Sequence, residues 1–173
     1  MTPYDWVDRL EAYCFTAVVG LDPDETVRRL GGDPEAAQER TFDECFWVAD
    51  GPQWTLVDRV DPGVLVAEHN GWRAEEAVES LSRGARLACF FRNVQAVMHF
   101  VYAVDGRVVA EFDPLLDGQT RCGAIAPELD GLRFGLFAAE SSALALLERL
   151  TGVRVRPTWL ATRHRAVALP PLR

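Results

Sequence analysis

The sequence predicts a single α+β domain over residues 1–173, with a mainly antiparallel sheet of about five to six strands and helices packed chiefly on one face. Three observations carry this expectation. Segments of period two interleave with segments of helical period along the whole chain. Two tight turns, Asp61-Pro62-Gly63 and Asp105-Gly106, each join a pair of such strands into a hairpin. The third is size: 173 residues, 49% of them hydrophobic, bury roughly 70% of their extended surface in one core of ordinary dimensions.

Taken in order, Tyr4 to Glu11 reads as a short helix, and Cys14 to Val19 as a strand ended by Gly20. Asp22 as N-cap, Pro23 at the first helical position and Glu25 at the third open a helix that Gly31-Gly32 stop. A second capping box, Thr41-Phe42-Asp43-Glu44, predicts a helix that buries Phe42, Cys45, Phe46 and Ala49. Residues 54–60 and 64–68 form the first hairpin, and residues 74–83 a helix with Ala77, Val78 and Leu81 inward. Leu87 to Phe91 is almost continuously apolar, as in a central strand covered on both faces.

The second hairpin spans 96–112. A two-residue loop pairs Tyr102 with Val109 and Phe100 with Glu111 on one face, a mixed aromatic and charged surface. The other face carries His99, Val101 and Ala103 and is expected to meet the core. A helix over about 140–151 follows, with Ser141 or Ser142 as cap and Gly152 as stop. Residues 113–138 show no clear pattern and are long for a plain loop.

Charge excludes one class of partner. The net charge is −8 and all 18 basic residues are Arg; the chain as a whole repels phosphates, so nucleic acid is not expected. The charge is nevertheless uneven. All 26 acids fall in residues 1–148, whereas 149–173 hold six arginines and no acid, giving a basic C-terminal segment of about 154–173. That segment is expected to dock on the acidic body of its own chain, with a second copy or an acidic partner as the alternatives. No apolar run approaches a membrane span, and Met1 to Trp6 has no leader pattern. Cys14, Cys45, Cys89 and Cys122 are widely spaced, without a CxxC or CxxH pair. Reduced, mostly buried cysteines in a cytoplasmic protein are expected, with no metal and no cofactor.

Chemistry-bearing residues are sparse. His99 reads as a hydrogen-bonded core residue, and His164 as a solvated residue between Arg163 and Arg165. His69 stands at a strand end beside Glu68 and Asn70, but neighbours on a strand point to opposite faces, so Glu68 and His69 form no relay. No GxSxG elbow, dinucleotide fingerprint or Walker loop is present, and no catalytic residue is assigned. Arg92-Asn93, just past the central strand, offers a planar donor fork and a turn amide.

Several runs appear in a distinctive order: Gly20-Leu21-Asp22-Pro23-Asp24-Glu25, Arg29-Leu30-Gly31, Glu68-His69-Asn70-Gly71-Trp72, Phe91-Arg92-Asn93-Val94, Phe112-Asp113-Pro114-Leu115 and Glu148-Arg149-Leu150-Thr151-Gly152-Val153. Together they resemble an uncharacterised family of high-GC, actinobacterial-type bacteria, over nearly the whole chain. The resemblance implies a free-standing α+β domain without an assigned activity, and so supplies no catalytic residues.

The first functional expectation is a non-catalytic module that binds a protein partner through Trp72, Arg92, Asn93, Phe100 and Tyr102, since aromatics and Arg dominate contact energy at interfaces. A second is a small-ligand binder or enzyme with a pocket near Glu68, His69, Asn70 and Arg92. A third is a homodimer held by the basic segment.

Overall fold

The computed structural model describes residues 2–116 and 123–171. Among them are eight strands and six α-helices. The strands are β1 (Tyr13–Val19), β2 (Gln38–Arg40), β3 (Gln53–Val60), β4 (Gly63–His69), β5 (Arg86–Arg92), β6 (Met98–Val104), β7 (Arg107–Phe112) and β8 (His164–Leu169). The helices are α1 (Pro23–Arg29), α2 (Arg73–Glu76), α3 (Val78–Ser82), α4 (Ala126–Leu129), α5 (Ala139–Thr151) and α6 (Pro157–Leu160). All strands lie in one open sheet of order β2-β8-β3-β4-β1-β5-β6-β7, and every pairing is antiparallel.

The sheet exceeds the expected five to six strands because the basic C-terminal segment is not a tail. Its residues 164–169 form β8, which inserts between β2 and β3 and buries Ala166, Val167 and Leu169. The arginines around it dock on the same chain: Arg165 meets Asp24, Arg163 meets Glu44 at 2.7 Å and Arg154 meets Glu148 at 3.7 Å.

The expectation of helices chiefly on one face is also corrected. Alternate residues of the central strands feed two separate cores. Tyr13, Phe15, Leu65, Phe90 and Phe100 pack with α5 and its neighbours on one face. Cys14, Val18, Val66, Leu87 and Cys89 pack with α1, α2 and α3 on the other. The continuous apolar run of β5 has this cause, since each of its faces meets a different layer.

Local signals explain most elements. The Asp22 side chain accepts from the Glu25 amide at 2.8 Å and Pro23 occupies the first turn of α1. Gly152, with φ of 77°, takes the left-handed position that ends α5. The head of α5 differs from expectation: its N-cap is Ala138, and Ser141 and Ser142 are buried inside the helix.

The capping box at Thr41 forms, with the Glu44 amide donating to Thr41 Oγ1 at 3.3 Å and the Thr41 amide to Glu44 Oε2 at 2.9 Å. It caps only a single 3-10 turn, Asp43–Cys45. Phe42 and Cys45 are buried, but the chain then leaves helical geometry and Phe46 and Ala49 lie exposed.

The 96–112 hairpin turns where predicted, with Val104 opposite Arg107 and Ala103 opposite Val108. Beyond that point Tyr102 faces Ala110 and Phe100 faces Phe112, so Val109 is an extra residue in a β-bulge. A one-residue slip exchanges the faces of a strand. Phe112 therefore joins Phe100 in the α5-side core, their rings 5.3 Å apart, while Glu111 moves to the side of His99.

Candidate functional site

The end of β4 sends adjacent side chains into different layers. Glu68 is fully buried towards α2, and His69 faces the α5 side. Glu68 Oε1 accepts from Gln53 Nε2 at 2.5 Å and the Arg73 amide at 2.6 Å, and Oε2 accepts from the Ala74 amide at 3.0 Å. Thus one carboxyl group satisfies the first amides of α2 and ties that helix to β3. Burial pushes its pKa up to about 7, and these hydrogen bonds hold it from rising further. Gly71 leaves room for this contact: a Cβ there would stand 2.4 Å from Gln53 Nε2 and push that side chain aside.

Outside this latch lies a cleft. Asn70 adopts a φ of 61°, and its amide side chain donates to the Trp47 carbonyl at 2.9 Å. The Trp47 amide donates to the His69 carbonyl at 3.0 Å. These bonds hold the 46–52 loop against the strand end and bring Trp47 edge-on to Trp72, with ring centroids 5.5 Å apart at 85°. Trp72 also meets Phe91 at 6.3 Å and donates its indole N–H to Glu76 at 3.1 Å. Between the tryptophans and the chain end is a cavity of about 260 Å³, lined by Trp47, Trp72, Gln53, Arg73, Leu169 and Pro171. Arg73 is only 8% exposed. Its Nη2 donates to the Pro170 carbonyl, and Nε has no partner among the described residues.

The structure separates Glu68, His69 and Arg92, which the pocket expectation grouped. His69 stacks on Phe42 at 4.3 Å, meets Phe46 edge-on at 4.9 Å and lies 3.3 Å from the Phe42 carbonyl through Nδ1. Burial lowers its pKa. Arg92 shares that face with His69, beyond Tyr13, and pairs with Glu140 of α5 at 2.7 Å. Asn93 accepts from the Gln95 and Val97 amides at 3.0 and 2.9 Å, as a turn residue.

Of the expected contact surface, Trp72 alone lines the cleft. Phe100 is completely buried and Tyr102 half-buried against the α5-side core, because the bulge and the second helical layer cover both faces of that hairpin. Asn70 contributes by anchoring Trp47. Sequence reasoning missed Trp47, Gln53 and Arg73. Trp47 was hidden inside an expected helix, and Arg73 sat next to a tryptophan already singled out.

The remaining reactive groups lie elsewhere. His99 bonds Glu75 through Nδ1 and lies 3.5 Å from Glu111 through Nε2; the Glu75 contact raises its pKa. His164 is half-buried and stacks on Trp159 at 3.9 Å, so it is not a solvated residue. Cys14, Cys45 and Cys89 are free and buried, with Cys14 and Cys89 Sγ atoms 3.5 Å apart, whereas Cys122 lies outside the described residues. Among the described residues no cluster of three or more His, Cys, Asp or Glu side chains could hold a metal, and no helix is long and apolar enough to cross a membrane.

The profile of a family of unknown function, DUF6461, matches residues 2–172. The chain belongs to this family. The match spans nearly all of the chain, in keeping with the resemblance drawn from its ordered runs, and DUF6461 carries no assigned activity. No curated protein and no solved structure matches.

Proposed function

We propose that this DUF6461 protein is a non-catalytic binding module that receives its ligand in the cleft walled by Trp47 and Trp72. The single observation behind the reading is the cleft itself: two tryptophans fixed edge to face over a cavity of about 260 Å³. Phe46 and Val48, the chain neighbours of Trp47, are exposed as well, Phe46 edge-on to His69. The volume lies under the roughly 300–1,000 Å³ of drug-sized sites, so it suits a small molecule or one projecting group of a larger one. The non-catalytic part of the reading is supported by the placement of reactive side chains. Glu68, Cys14 and Cys89 are buried in the layer beneath the cleft, whereas Cys45 and His69 lie towards the opposite face of the sheet.

The test is a ligand screen read by ¹H–¹⁵N correlation spectra, in which the five tryptophan indoles serve as site reporters. Mixtures of small acids, amines, sugars and short peptides are added in turn. The expected result is a saturable shift of the Trp47 and Trp72 indole signals, with Trp6, Trp54 and Trp159 unmoved. Trp72→Ala should abolish that response while leaving the other indole signals in place. Silence across the screen, or shifts spread over all five signals, would overturn the reading.

A further inference from the structure

Arg73 gives the cleft a chemical preference. A guanidinium is always cationic and presents five donors in a rigid plane. Burying such a charge without an acceptor is costly, and native structures almost always pair it. Here the group is 8% exposed, yet its one protein partner among the described residues is the neutral Pro170 carbonyl. Among the described residues Nε, itself sealed from solvent, has no partner, and no carboxylate oxygen approaches the guanidinium within 4.0 Å.

Two acids of the same strand end and helix are already engaged. Glu68 is held by Gln53 and by the Arg73 and Ala74 amides, and Glu76 takes the Trp72 indole N–H. A cation thus lines the inner part of a cavity whose walls are aromatic and apolar.

We propose that the cleft binds a small carboxylic acid with a flat apolar body, its carboxylate on the Arg73 guanidinium and its body against the wall formed by Trp47 and Trp72. A carboxylate is the planar acceptor that matches the donor fork, and such charge-assisted pairs are short and strong. The flat body is set by the tryptophans, whose edge-to-face arrangement leaves an aromatic wall for offset or perpendicular contact. The cavity of about 260 Å³ limits the acid to one ring or a short branched chain. This inference rests on the binding-module reading and adds the ligand's charge to it.

The test uses three probes of one shape on the intact chain: phenylacetate, phenylacetamide and phenethylamine. Each is titrated while the five indole signals are followed. Phenylacetate should shift the Trp47 and Trp72 signals saturably, and bind about tenfold tighter than the amide, with the amine weakest. Arg73→Lys, which keeps the charge and loses the fork, should remove most of that acid-over-amide preference. If this variant fails to fold, the comparison of the three probes on the native chain decides alone.

Equal binding of acid and amide, or tighter binding of the amine, would overturn the carboxylate proposal and leave the binding module standing. No shift with phenylacetate would overturn the proposal as well. Silence in the broader screen would remove both.

Discussion

The two layers that cover the sheet are built on alternate residues of the same strands, yet they hold opposite contents. The α5 side is a mainly apolar layer, in which Phe15 and Phe90 are fully buried in one cluster with Leu144 and Leu147 of a 13-residue helix. The α2 side carries both of the charged side chains that are buried among the described residues, Glu68 and Arg73, together with Gln53 and the Cys14–Cys89 contact. Helix length explains the difference. A long helix satisfies most of its amides internally, whereas α2, with four residues, is almost entirely ends. Its amides need a buried acceptor, and Glu68 supplies it. The lesson is that a short helix under a sheet draws polar groups into the interior, and the candidate site has grown beside them.

The comparison can be broken first on the apolar side. Leu147→Ala should cost about 3 kcal/mol in urea unfolding, by lost burial and a cavity, equally at pH 5 and pH 8. A strongly pH-dependent loss there would contradict the division between layers.

The polar layer should respond to pH instead. The Glu68 carboxyl has an ordinary value of 4.5 and a folded value of about 7, so the fold favours its protonated form. Stability tied to that proton is full below 4.5, declines as pH rises and is gone above 7, a span of about 3 kcal/mol. Glu68→Gln should be the less stable protein at pH 5, through a lost acceptor, and close most of the gap to wild type by pH 8. A gap that stays constant across this range would sink the assignment.

The smallest effect expected is that of Gly71→Ala. The new Cβ would displace Gln53 from Glu68, costing about 1–2 kcal/mol of a charge-assisted hydrogen bond and steepening the pH dependence. Unchanged stability would show that Gln53 can swing away freely.

The fold was largely legible where chemistry is local. Asp22-Pro23, Asp61-Pro62-Gly63, Asp105-Gly106 and Gly152 each mark a boundary that the structure keeps. What escaped was tertiary. Nothing local to Val109 announces a bulge, yet that one residue decides which face of β7 Phe112 takes. The Thr41 box promises a helix, but the loop after Cys45 is drawn off by hydrogen bonds from Trp47 and to its carbonyl, made at the far strand end. Arg163 and Arg165 read as part of a tail because their acidic partners, Glu44 and Asp24, lie far off in sequence. The site was legible only at Glu68, Asn70 and Trp72. Arg73 gains its meaning from burial, which no periodicity in a four-residue helix reveals.

An open sheet of eight strands has two borders where another chain could add by backbone pairing, and both are blunted here. At one border β2 is only three residues long and includes Glu39 and Arg40. At the other, β7 presents Arg107 and Glu111 on either side of the Val109 bulge, which breaks the regular spacing of donors and acceptors. Neither border offers a run long enough to template a further strand. A chain with this many paired strands can therefore accumulate in a crowded compartment without recruiting copies of itself into a continuous ribbon.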